Sequence, residues 1–204
     1  GNGNDLNGCV NDSKNLSKRF KELFTDADIR IFLDGQVTVA NYKKYVSEAI
    51  ATLRPGSLVW VIADSCFSKS VTKLINSGYH RNRFYDPGLD ITTHVGKKLL
   101  QRPDLYLVEL SGSDENETSA DVMVNGQYQG ALSFALIRSL TRPDITINQV
   151  YSLISAILPG QISDQHPKLT GPDELINRPL NSGQLLAIHN SSHGSWEPCP
   201  HGDE

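Results

Sequence analysis

Four apolar segments of six or seven residues, each bounded by Gly, Pro or Asp, set the strongest limit on how this chain can fold. They are residues 28–34 (DIRIFLD), 58–63 (LVWVIA), 105–110 (LYLVEL) and 184–189 (QLLAIH). Segments of that length and composition suit strands of a sheet covered on both faces, and they are too short for buried helices. Amphipathic helical patterns run between them. Residues 15–24 place Leu16, Phe20, Leu23 and Phe24 on one face, and residues 39–53 do the same with Val39, Tyr42, Val46, Ile50 and Leu53. Residues 131–140 and 147–158 read as a later helix pair. Thr146 with Gln149 three residues on gives the second a capping box, and Pro159-Gly160 stops it. The alternation predicts an α/β domain, a mostly parallel central sheet with helices on its faces.

Residues 78–104 break the rhythm. They mix basic residues with turn formers and predict a long excursion carrying one short helix around residues 93–100. Loops of that length in a compact domain are usually functional or mobile.

No repeat or low-complexity linker divides the 204 residues, so 1–204 is expected to form a single domain; 38% hydrophobic content is ordinary for one core. The 19 basic and 23 acidic residues give a net charge of -4, which lacks the basic footprint expected of a nucleic-acid or anionic-membrane partner. The longest apolar runs, 58–63 and 185–188, fall far short of the roughly 18 residues that cross a bilayer, and no basic-then-apolar leader opens the sequence. Three cysteines, at positions 9, 66 and 199, form no C-x-x-C pair, which argues against a disulfide framework and a four-ligand zinc site. These features lead to the expectation of a soluble, cytoplasmic protein.

Two of the apolar segments end in reactive residues. Leu58-Val-Trp-Val-Ile-Ala63 runs into Asp64-Ser65-Cys66, and Leu185-Leu-Ala-Ile-His189 runs into Asn190-Ser191-Ser192-His193-Gly194. In open α/β sheets the carboxyl ends of strands form the ligand crevice, so a thiol and an imidazole there face substrate. Cysteine needs a nearby base to become a thiolate at neutral pH, and a flanking glycine lets backbone amides approach a developing oxyanion. The layout is that of a cysteine acyl-transfer enzyme. The plainer alternative is a buried Cys66 that serves only as a small hydrophobe.

The motifs resemble those of caspase-fold cysteine peptidases of the metacaspase type. Asp64-Ser-Cys-Phe-Ser-Lys69 resembles their nucleophile motif Asp-Ser-Cys-His-Ser-Gly, and Ser191-Ser-His-Gly194 resembles their Ser-Gly-His-Gly. Asn4-Asp-Leu-Asn-Gly-Cys-Val-Asn-Asp12, residues 28–41, residues 110–121 and Gly130-Ala-Leu-Ser-Phe-Ala-Leu136 are similar to further stretches of the family. The resemblance implies a caspase-like three-layer α/β/α sandwich. It also implies cleavage after Arg or Lys, with Cys66 as nucleophile, His193 as general base and Gly194 in the oxyanion hole. Cys9, Asp12, Asp64 and Ser191 match the acidic pocket that receives the residue before the scissile bond. Two carboxylates in one cleft favour a cation; the plainer alternatives are that Asp12 caps a helix beginning near Ser13 and that Asp64 merely ends a strand.

The order of the pieces differs from the family's. There the His motif precedes the Cys motif, and a strand precedes the Asn-Asp-Leu-Asn-Gly-Cys segment; here the His motif comes last and that strand is absent. A circularly permuted connectivity accounts for the first difference, and a strand supplied by another segment or chain for the second. No cofactor or metal is expected. Val71-Thr72-Lys73 stands after Cys66, where calcium-binding relatives have one of their aspartates, Asp203 and Glu204 alone cannot make a six-to-eight-oxygen site, and Cys199, His201 and His189, which would suit a transition metal, are bunched near a terminus as in a flexible tail. The expected partner is a peptide or protein substrate with Arg or Lys before the scissile bond; the rival class is a non-catalytic caspase-fold scaffold. Should the chain prove to be a peptidase that cuts after basic residues, Arg81, Arg83, Lys97, Lys98 and Arg102 make the 78–104 excursion a candidate stretch for self-cleavage.

Overall fold

The computed structural model describes residues 8–33, 36, 38–64, 98–99, 101–112, 121–159 and 165–190. Among these, helix α1 covers Gly8–Leu23, α2 Val39–Ala51, α3 Ala131–Ser139, α4 Ile147–Ile157 and the one-turn α5 Asp173–Ile176. The strands are β1 Leu58–Ala63, β2 Tyr106–Ser111, β3 Asp121–Val124, β4 Gln127–Gly130, β5 Lys168–Thr170 and β6 Leu185–Asn190. The main sheet has the order β5-β2-β1-β6. β1 pairs in parallel with β2 and with β6, and β5 adds an antiparallel edge. The protein is therefore α/β with a mixed, mostly parallel main sheet.

Burial on both faces explains why the strands read as continuous apolar runs. Trp60, Ile62, Val108 and Leu110 point into one core with Leu16 of α1, Leu132 and Leu136 of α3, and Val150 and Ile154 of α4. Val59 and Val61 point the other way, to Val46, Ile50 and Leu53 around α2. Alternate residues of one strand thus serve two cores, the arrangement that parallel sheets require. At the start of α4, Thr146 accepts from the Gln149 amide while the Gln149 side chain accepts from the Thr146 amide, the reciprocal box its sequence predicts.

Three features depart from the sequence reading. The expected strand at 28–34 is not formed over its described residues 28–33, which enter no ladder. Phe32 instead packs its ring on Tyr45 of α2 at 4.6 Å, and Ile31 is exposed. A strand exists only through a neighbour, and among the described residues β6 pairs with β1 alone, so no ladder reaches this segment. Second, α1 begins at Gly8, seven residues before the predicted start, which places Asp12 inside the helix and removes its N-cap reading. Third, β3 and β4 form an antiparallel hairpin turning at Asn125-Gly126. Both turn residues have positive φ (52° and 79°), the backbone that an Asn-Gly turn adopts most readily. The predicted helix near 93–100 lies outside the described residues except for 98–99, which are helical. No helix among the described residues is long and apolar enough to cross a membrane.

Candidate functional site

β1 and β6 run parallel and in register, with Ile62 beside His189 and Ala63 beside Asn190, so their C-terminal ends lie at the same end of the sheet. Cys66 stands three residues beyond Ala63, and His193 three residues beyond Asn190. Cys66, Ser191, His193 and Gly194 themselves lie outside the described residues, as does the side chain of Cys9, whose backbone belongs to the first turn of α1. The pairing of β1 with β2 extends one residue further at this end, where the Gly112 amide donates to Ala63 O at 3.0 Å.

The two carboxylates are described, and the fold brings them together. Asp64 directly follows β1, Asp12 projects from the second turn of α1, and both are buried, at 2% and 0% exposure. They meet at the start of α3. The Gly130 amide donates to Asp12 Oδ1 and Oδ2 at 3.1 and 3.0 Å. The Ser133 amide donates to Asp64 Oδ2 at 3.0 Å, and the Ser133 hydroxyl donates to the same oxygen at 2.6 Å. Helix starts leave their first amides without intrahelical acceptors, and Gly130, the N-cap of α3, has no side chain to supply one. Asp64 fills that role from 69 residues away in sequence, and its charge faces the positive end of the helix dipole.

Gly130 separates the two acids. A Cβ at this position would collide with Asp64 Oδ2 and lie 3.0 Å from Asp12 Oδ2, so the carboxylates cannot be further apart than the sum of two short contacts. Only glycine leaves them room. Gly130→Ala is expected to destabilise the protein by about 1–3 kcal/mol, the usual cost of forcing a methyl group into a packed interior, measured by urea denaturation. An unchanged midpoint would mean that the carboxylates can separate freely.

A third polar group completes the cluster, and no sequence motif points to it. His189 Nε2 lies 2.9 Å from Ser133 Oγ. The Ser133 hydroxyl has one proton, already directed at the Asp64 carboxylate, so Nε2 carries the hydrogen and donates to Oγ. Burial pushes the His189 imidazole below its ordinary value of 6.5, while the Asp64 charge pulls the other way; burial is the larger effect. The neutral ring is thus favoured in the folded state. Because the unfolded chain binds the proton more readily, this group's contribution to stability is complete above about 6.5 and is lost as pH falls from there through the lower folded value. Melting curves between pH 8 and 5 should show a smaller loss for His189→Gln than for the wild type; equal slopes would contradict the assignment.

Among the described residues, no group of three or more His, Cys, Asp or Glu is arranged to hold a metal ion. The described part of the cluster is two carboxyl groups beside an imidazole whose neutral form is favoured by burial.

No family model matches the chain. Two curated fungal proteins match 83 residues, which is 40% of this chain. Metacaspase-1B of Aspergillus oryzae is 42% identical over that stretch, and Metacaspase-1B of Neosartorya fischeri is 36% identical. The aligned stretch spans 18% and 19% of those proteins, less than a fifth of their length. Among solved structures, protein GSU0716 of Geobacter sulfurreducens superposes with a TM-score of 0.55 over 85% of this chain and 88% of its own, at 14% sequence identity. That likeness concerns the fold alone. The chain is thus an α/β protein with partial homology to metacaspases, confined to two fifths of its length.

Proposed function

We propose that the protein is a cysteine endopeptidase that cleaves after Arg or Lys, built on a caspase-like α/β/α sandwich with permuted connectivity. The observation that carries this reading is the in-register parallel pairing of β1 with β6, whose continuations hold Cys66 and His193 at equal distances in sequence from the last described pair. The partial homology to metacaspases supports the same chemistry.

In this reading the Cys66 thiolate attacks the scissile carbonyl, and His193, having taken the thiol proton, passes it to the leaving amine. Backbone amides at Gly194 and Cys66 stabilise the tetrahedral oxyanion. Water activated by His193 then attacks the thioester, releasing the acid product and restoring the thiol. Asp12 and Asp64 receive the substrate cation, with Ser191 adding a hydrogen bond and Cys9 shaping the wall. The experiment is a set of peptides differing only in the residue before the scissile bond. Cleavage confined to Arg and Lys is expected, and a preference for Asp or for large apolar residues would remove the acidic pocket.

A second reading, a non-catalytic scaffold of the same fold, is favoured by one observation. Residues 185–189 of β6 are only half-buried, while Val59 to Ala63 of β1 are buried, and among the described residues β6 is an edge to which a strand from another segment or chain can be added. A Cys66 without reactivity toward peptide electrophiles would select this reading.

A further inference from the structure

We propose that Ser133 and His189 are positioning residues that orient Asp64 toward the substrate cation, so that the preference for Arg depends on a relay His189–Ser133–Asp64. The inference rests on the peptidase reading and adds to it two residues that take no part in the chemistry. Both hydrogen bonds from Ser133, from its amide and its hydroxyl, fall on Oδ2 of Asp64. Among the described residues no hydrogen bond falls on the other oxygen, Oδ1, and two donors from one residue hold Oδ2. A carboxylate held in this way needs no reorientation when a guanidinium arrives, which is the advantage of a preorganised site.

His189 determines which way the serine proton points. A hydroxyl beside a carboxylate and an imidazole can donate to only one of them. With Nε2–H donating to Oγ, the Ser133 proton is committed to Asp64. Ser133 is fully buried, so its hydroxyl is shielded from bulk solvent. The relay joins β6, α3 and the residue that follows β1.

A structural role alone would lower activity toward every substrate alike. The test therefore compares kcat/KM for two peptides that differ only in Arg against citrulline, its neutral isostere, before the scissile bond. For the wild type the Arg peptide should be strongly preferred. In Ser133→Ala the Arg-to-citrulline ratio should fall about tenfold, carried mainly by KM, since a charge-assisted hydrogen bond contributes roughly that factor. Ser133→Thr, which keeps the hydroxyl, should restore most of the ratio. His189→Gln, which keeps a donor, should retain more of it than His189→Phe. If the wild type prefers Arg and all four variants keep its ratio, the relay is wrong and the peptidase reading stands. If the wild type cleaves neither peptide, the peptidase reading falls and the relay falls with it. Should Ser133→Ala fail to fold, the His189→Gln and His189→Phe pair decides on the same ratio.

Discussion

Replacing Cys66 by alanine is expected to lower peptidase activity by about four orders of magnitude or more, the scale on which removal of a covalent nucleophile acts. His193→Ala should have a similar effect, because a nucleophile and its base work as a unit and losing either leaves only substrate binding and oxyanion stabilisation. Neither change should disturb the fold, since Cys66 and His193 follow strands whose described residues make the core contacts without them. Cys9→Ser and Cys199→Ser should leave a reactive thiol in place. Hydrolysis of an Arg peptide by each variant, normalised to folded protein by circular dichroism, checks this; appreciable turnover by Cys66→Ala would remove the mechanism.

Asp64→Ala is the second change expected to act strongly, and it should act twice. The Ser133 amide and hydroxyl both lose their acceptor inside the protein, and orphaning buried donors costs about 1–3 kcal/mol each, so a loss of about 2–6 kcal/mol in stability is expected by denaturant titration. Cleavage after Arg should fall a hundredfold or more. The cation loses a carboxylate, and the segment carrying Cys66 two residues on loses an anchor. Asp12→Ala should be milder, about ten- to a hundredfold, because Asp12 sits on α1 and not on the segment that leads into Cys66. Labelling of Cys66 by a small uncharged alkylating agent should survive Asp12→Ala. If Asp64→Ala cleaved Arg peptides as well as Asp12→Ala does, the coupling of the pocket to the nucleophile would be refuted.

What could be read from the residues, and what could not, follows physical lines. β1 matches its apolar run residue for residue, and β2 and β6 each sit one residue later than read, because a strand covered on both faces has no polar side to disguise it. α4 matches within one residue, because its two ends are set locally, by Thr146 with Gln149 and by Pro159. The strand read at 28–34 misled because an apolar alternation shows that a segment can pair, while pairing itself depends on a neighbour elsewhere in the chain. The hairpin β3–β4 was legible in principle: Asn125-Gly126 between Val122 and Tyr128 is a strong short-range turn signal.

The start of α1 was not legible in the same way. Gly8, Asn11 and Asp12 are poor helix formers, and that turn is held by contacts more than a hundred residues away, Asn11 to Tyr128 O and Asp12 to the Gly130 amide. The carboxylates of the candidate site carried a motif signal; Ser133 lay in the family-like stretch 130–136 without being singled out, and His189 carried no motif of its own. A serine inside an apolar helix and a histidine near the end of an apolar strand look like ordinary interior residues. Their role arises only when a separation of 56 residues in sequence closes to 2.9 Å.

The central claim is that Cys66 is a nucleophile placed beside a cation-binding pocket. Its most direct measurement is treatment of the protein with a peptide electrophile ending in arginine, alongside the same electrophile ending in aspartate, followed by peptide mapping by mass spectrometry. A single adduct on Cys66 is expected with the arginine reagent, lost in His193→Ala, and little or none with the aspartate reagent. Modification of Cys9 or Cys199 instead, or equal labelling of Cys66 by both reagents, would contradict it.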